Sequence, residues 1–427
     1  MKRSSPVLLL VSAISLSAIQ TKAQTAPAQT RPRTVSQVAQ KTTKIPDPVL
    51  PTAAVRPSPQ VVTTRTPAEV IGSPDPTTKQ SVMLFLSPSM IQGRINEAQR
   101  LLKSRPLNTA MTAPSIDFVT IAALDRESSR THLITLPKQS FLTKGSELGL
   151  TSSLGTPVTI RVVRANGVNT ALTILTADGK ALVPLIVEYP IEHGGAFKEM
   201  AYYTSAHPAL LSNDLVRAGQ AYVRNMMDLA VKRLKDRGVA ISPDIVNVAE
   251  RLCMVEHIDH DRFRNENRVA LYDEIYSLYA LNELDTYRYS VSTAGAGGMV
   301  QMIPWAYNLE RQRHPGVGLI PDFVTAMRNH ANALQAMLLY MQDTWNELSA
   351  NEDVRAALNS KIATTSEILA AGYNSNAAKL PGYIRRGGED WKNLIPRETQ
   401  MYLQIYKSFE ALVPTKLRTN QQEALNK

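Results

Sequence analysis

The pattern of hydrophobic and polar positions divides the chain into stretches of different character. Val7–Ile19 is a short apolar segment behind Lys2 and Arg3, followed by Thr21, Lys22, Ala23 and Gln24. A charged start, a brief apolar middle and a small residue near the end predict a signal peptide over 1–23. Residues 24–80 have no periodicity and hold ten of the 26 prolines among Thr, Gln, Ala and Val. Proline removes backbone donors and favours extended chain, which predicts a semi-extended linker with no hydrogen-bonded core. Order is expected from residue 81, and Ile91–Lys103 carries apolar positions at helical spacing.

Alternation with period two follows. Ile116–Leu124, His132–Leu136, Val158–Ala165, Ala171–Thr176 and Ala181–Val187 read as strands rich in β-branched residues. Asn166-Gly167 and Asp178-Gly179 separate the last three, and both pairs tolerate the positive φ that a tight hairpin requires. A small antiparallel β domain over 81–212 is therefore expected. From residue 213 the period changes to helical, over 214–236, 243–258, 266–285, 322–348 and 361–372. Strand runs followed by helix runs predict an α+β chain with an all-α part over 213–427.

Composition narrows the classes. The chain has 427 residues, enough for two or three domains, and 44% hydrophobic content excludes wholesale disorder. No apolar run reaches the ~20 residues of a transmembrane helix. A single cysteine, Cys253, excludes an intramolecular disulfide framework and a cysteine-based zinc cluster, and it reads as a small buried hydrophobe. With no cysteine directly following the leader, a lipoprotein anchor is not expected, and the protein is expected in the periplasm or cell envelope. An uncleaved leader would add a membrane anchor.

The net charge of +10 changes meaning once it is located. The leader carries +3, the linker +4, residues 81–239 +6 and residues 240–427 −3. The excess fits placement at an anionic envelope, and a nucleic-acid enzyme centred in the C-terminal part is not expected.

The chemistry-bearing stretch runs from Leu281 to Pro304. Ile275, Tyr279 and Glu283 at i, i+4 and i+8 place a carboxylate beside an apolar stripe near a helix C-terminus. Partial desolvation and the negative helix pole both favour the protonated form, so the Glu283 pKa is expected to be raised. A neutral carboxylic acid in an apolar cleft is what a general acid for glycosidic cleavage requires. Taken alone, such a glutamate also fits an exposed salt-bridge partner. The glycines after it do not form a P-loop, since no Lys follows.

Three motifs resemble the lytic transglycosylases of the soluble lytic type, a family in the lysozyme-like superfamily related more distantly to goose-type lysozymes. Glu283 is followed nine residues later by Ser292, and Gly295, Ala296, Gly298, Gln301 and Pro304 occupy matching positions. Gly372-Tyr373-Asn374 matches an Ala-Tyr-Asn signature, and Trp391, Pro396, Glu398, Thr399 and Tyr402 match a third. The likeness covers roughly residues 240–427. Leu284 stands where the family has a serine, and Met299-Val300 where it has Leu-Met.

The resemblance implies a lysozyme-like C-terminal domain that cleaves the bond between N-acetylmuramic acid and N-acetylglucosamine in peptidoglycan. Glu283 would act as acid and then as base, closing a 1,6-anhydro ring. Ser292, Gly295, Ala296, Gly298, Gln301, Tyr373, Asn374 and Tyr402 would contact substrate, with Tyr373 a hydrogen-bond partner of the acid. Glycan strands are the expected partner, along with envelope proteins through the β domain. No cofactor or metal is implied. Two other readings fit the same residues: a muramidase-type hydrolase, and a weakly active wall-binding scaffold. His257 and His260 with Asp259 and Asp261 carry zinc-ligand types but read as a charged helix end. Asp285, two residues from Glu283, reads as solvent-facing.

Overall fold

Alternating strands and turn chemistry build the middle of the chain. The computed structural model describes residues 87–104, 115–193, 195–205, 207–283 and 295–419. The leader, the proline-rich linker, Ser292 and Asp285 lie outside them. Helix α1 (Pro88–Ser104) comes first, then strands β1 (Phe118–Leu124) and β2 (Thr131–Pro137), a one-turn helix α2 (Lys138–Phe141), and strands β3 (Glu147–Thr151), β4 (Pro157–Arg164), β5 (Ala171–Thr176), β6 (Ala181–His193) and β7 (Ala196–Tyr203). They form one antiparallel sheet in the order β2-β1-β6-β5-β4-β3, with β7 also paired to β6.

Long strand β6 makes this topology work. Its start pairs with β5 (Leu182 opposite Ile174), its middle with β1 (Val187 opposite Ile121), and its end with β7 (Ile191 opposite Glu199). Pro184, which has no N–H, sits where the β1 register shifts between Ala122 and Ala123. The sheet curls until its edges approach. The Ser153 N–H donates to the Leu133 carbonyl at 2.8 Å, and the Leu133 N–H donates to Ser153 Oγ at 3.0 Å. The result is a nearly closed barrel.

Seven strands are present where five are legible in the sequence pattern. Strand β3 is short and contains Gly149, and β7 (Ala-Phe-Lys-Glu-Met-Ala-Tyr-Tyr) has no β-branched residue. Both are recruited by pairing with a neighbour, because strand propensity depends on context. The expected turns hold, with Gly167 at φ 49° and Gly179 at φ 80°.

The helical part comprises α3 (Asn213–Asp236), α4 (Pro243–Val255), α5 (His260–Asn265), α6 (Arg268–Leu281), α7 (Pro304–Arg313), α8 (Phe323–Arg328), α9 (His330–Ser349), α10 (Glu352–Asn359), α11 (Thr365–Asn374), α12 (Leu380–Gly387), α13 (Trp391–Leu394) and α14 (Arg397–Leu412). The apolar run expected over 322–348 breaks at Asn329, whose side chain accepts the Asn332 N–H and caps α9. Helix α9 is central, with Leu334, Met337, Leu338 and Leu339 fully buried. Helices α3 and α6 cross at Gly219, where an added Cβ would lie 1.9 Å from the Tyr276 carbonyl oxygen. No described helix is long and apolar enough to cross a membrane.

One hydrophobic core runs through the barrel into the helices. It includes Val119, Ile121, Ile160 and Ile174 from strands, and Met227, Leu252, Tyr279 and Met337 from helices. Strand β1 is buried on both faces, because α1 covers the outer one through Ile91, Ile95, Ala98 and Leu102. Ala280 and Leu281, at the end of α6, belong to that second cluster. The expected fold is corrected here. In place of a small β domain ahead of a separate lysozyme-like all-α domain, a nearly closed seven-stranded barrel shares its core with the helices behind it. A strand that is apolar on both faces must be covered on both, so barrel and helices cannot pack independently. The α+β character stands.

Candidate active site

The end of α6 is stapled to the barrel. Its N-terminus is capped by Asn267, which accepts the Ala270 N–H at 3.0 Å, and the helix ends at Leu281, earlier than the periodicity predicts. The Asn282 carboxamide then turns away from the helix axis. Its oxygen accepts the Thr204 N–H at 2.9 Å, and its nitrogen donates to the Thr204 carbonyl at 2.7 Å and to the Leu278 carbonyl at 3.1 Å. Asn282 is 8% exposed, so these bonds are shielded from water. They fix the backbone that carries the next residue, Glu283.

Glu283 stands just past the helix on the wall of a cavity of about 560 Å³. The residue as a whole is exposed. Partial desolvation of its carboxyl raises the pKa, the direction expected for an acid kept protonated, and among the described residues no hydrogen bond or charge opposes the shift. The same cavity is lined by Gln92, Asn96 and Gln99 of α1, by Tyr202 and Tyr203 at the end of β7 and by Thr204 after it. Arg328 of α8 closes another side and pairs with Glu199 at 3.1 Å. Most of this cavity is therefore built by α1 and the barrel, which the motif pattern did not indicate.

The residues from Gly295 to Gln301 form a tight loop tethered at its carbonyls. Gly295 and Gly298 have φ of 80° and 70°, and Gln301 also adopts a positive φ, 46°. Gly298 packs where no side chain fits, since an added Cβ would lie 2.6 Å from the Met327 carbonyl oxygen. Ala296 and Gly298 are buried, so they shape the loop from inside, while Gln301 is part-exposed. Three side chains grip successive carbonyls. Gln301 Nε2 donates to Gly298 at 2.8 Å, His257 Nε2 to Met299 at 3.1 Å, and the Tyr373 hydroxyl to Val300 at 2.6 Å.

This places the other motif residues. Tyr373 spends its proton on Val300, and burial raises its pKa far above the ordinary phenol value. His257 is held neutral, its pKa pushed down to about 4 by burial, which suits a donor to a carbonyl. Asp259 caps α5 by accepting the N–H groups of Asp261 and Arg262. Asn374 Oδ1 accepts the Thr399 hydroxyl at 2.9 Å, linking the second and third motifs through α11 and α14. Tyr402 is 3% exposed and donates to Glu256 Oε1 at 2.6 Å.

Sequence reasoning missed Glu256. Burial pushes its carboxyl up to about 8, aided by the Glu398 charge and opposed by the Tyr402 hydrogen bond. It also missed Asn282, although its place between the helix and the expected acid was visible. Nothing in the one-dimensional pattern tells that its side chain reaches Thr204, just past β7 and 78 residues away. Set against family models, curated proteins and solved structures, the chain matches none.

Proposed function

We propose that the protein is a peptidoglycan lytic transglycosylase of the cell envelope, with Glu283 as its acid and base. The observation that carries this reading is the Glu283 carboxyl itself: partly desolvated, raised in pKa, and set on the rim of a cavity with a braced backbone behind it. The three motifs resembling that family support it, since they converge on one loop and the helices that anchor it. In this reading Glu283 protonates the glycosidic oxygen after N-acetylmuramic acid, and the substrate's own acetamido group stabilises the positive charge at C1. The resulting carboxylate then removes the proton from the C6 hydroxyl, which attacks C1 and closes the 1,6-anhydro ring. One carboxyl suffices because no water molecule has to be activated.

The test is digestion of purified sacculi by the full-length protein, with products identified by mass spectrometry. Anhydromuramyl ends are expected, and Glu283→Gln should abolish their release. Unchanged release by that variant would sink the proposal, and reducing ends in place of anhydro ends would make the enzyme a hydrolase.

A further inference from the structure

Helices α7 and α9 pack against each other on the side chains of three residues with metal-ligating atoms. Glu310 and His314 are four residues apart, on α7 and at its C-terminal cap, and Asp343 faces them from α9. His314 Nε2 lies 3.0 Å from Asp343 Oδ2 and 3.6 Å from Glu310 Oε2. One ligand atom from each residue lies within 4.8 Å of the other two.

Glu310 is the anomaly. Its side chain is 0% exposed, and neither carboxylate oxygen has a hydrogen-bond partner. A buried carboxylate without hydrogen bonds is costly, and native structures rarely leave one unexplained. Arg313 does not resolve it. Its Nη1 is 3.8 Å from Glu310 and 3.5 Å from Asp343, too long for hydrogen bonds, and its other nitrogen already reaches Glu347 at 3.4 Å. The His314–Asp343 contact makes sense as a hydrogen-bonded pair on its own, but that leaves both Glu310 oxygens without a hydrogen bond, with only the longer contacts to His314 and Arg313.

We propose that Glu310, His314 and Asp343 bind one divalent transition-metal ion of the zinc class, with solvent completing the shell. Zinc takes imidazole nitrogen and carboxylate oxygen at ~2.0–2.2 Å, which needs ligand atoms roughly 3.4 Å apart, close to the 3.0 and 3.6 Å of His314 from Asp343 and Glu310. Two carboxylates and a neutral imidazole balance a dication, and the nitrogen ligand disfavours calcium and magnesium, which prefer all-oxygen shells. Arg313, part-exposed, turns fully to Glu347 when the ion enters. The ion ties α7 to α9, and α7 follows directly on the Gly295–Gln301 loop, so its role is to brace that loop. The site does not depend on the glycan-cleaving function.

The full-length protein, stripped with chelator and desalted, is titrated with Zn(II) by calorimetry and with Co(II) by visible absorption. One ion per chain, a raised melting temperature and the absorption bands of a four- or five-coordinate Co(II) site are expected. His314→Gln and Asp343→Asn should each weaken Zn(II) binding at least tenfold, and His260→Gln, outside the cluster, should leave it unchanged. Glu310→Gln removes the buried charge without a change of shape, so it should fold and still lose binding. Absence of saturable one-to-one Zn(II) binding, or binding as tight in Glu310→Gln as in the parent, overturns the proposal.

Discussion

The Asn282 carboxamide bonds both backbone groups of Thr204, joining the last turn of α6 to the end of β7 at 2.9 and 2.7 Å. The acid at position 283 is thus aimed by the barrel as much as by its own helix. Asn282→Ala leaves two buried backbone groups of Thr204 unpaired, at a cost of about 2 kcal/mol by denaturant titration. Because misplacement of a reacting group by ~1 Å costs up to 10²-fold, release of glycan fragments should fall at least ~10-fold in the still-folded variant. An unchanged rate would mean that the staple does not position Glu283.

Stability should depend on pH through Glu256. Its folded pKa is raised from an ordinary carboxyl value to about 8, so the folded state holds a proton that the unfolded chain releases. That contribution is fully present below the unfolded carboxyl pKa and is lost as pH rises through the folded one, at up to ~1.4 kcal/mol per pH unit. Unfolding free energies measured between pH 4.5 and 8 should therefore decline in the parent. Glu256→Gln should flatten the decline, and an identical slope in both proteins would refute the assignment.

Tyr373 separates two roles that the motif leaves together. If it only anchors the loop through the Val300 carbonyl, Tyr373→Phe lowers stability by about 1–3 kcal/mol and slows turnover without moving the pH profile. A displaced alkaline limb would instead place its hydroxyl in contact with the Glu283 proton. The first outcome is expected, because the 2.6 Å bond already uses that proton.

The same substitution should act oppositely on two helices. Gly219→Ala forces a methyl into the Tyr276 carbonyl at the α3–α6 crossing, and destabilisation of at least ~1–3 kcal/mol is expected together with loss of activity. Gly93→Ala on the exposed face of α1 meets open space and should stabilise by ~0.5–1 kcal/mol. Thermal melts of the two variants check both signs at once.

Much of the secondary structure was legible because its signals are local. Val158–Ala165, with Asn-Gly behind it, could only alternate, and the observed β4 burial follows that alternation. Strand β7 was not legible, since its partner β6 supplies the reason for its conformation. The end of α6 was misread by four residues, because Asn282 leaves the helix to bond a strand. The Gly295–Gln301 loop was recognised by its glycines, but the packing of Gly298 against the Met327 backbone and the bond from Tyr373 to Val300 were not legible, because both partners are remote in sequence.

The sequence by itself determined which residues alternate, which turn and which carboxyl stands beside an apolar stripe, because neighbours along the chain decide those. Only the tertiary structure decided that the barrel and helices share one core, that Asn282 braces the acid against Thr204, and that Glu310 sits buried opposite His314 and Asp343. Asn282 lies 78 positions from Thr204 and His314 lies 29 from Asp343, and the energy of such pairs comes from burial and pairing that no local pattern encodes.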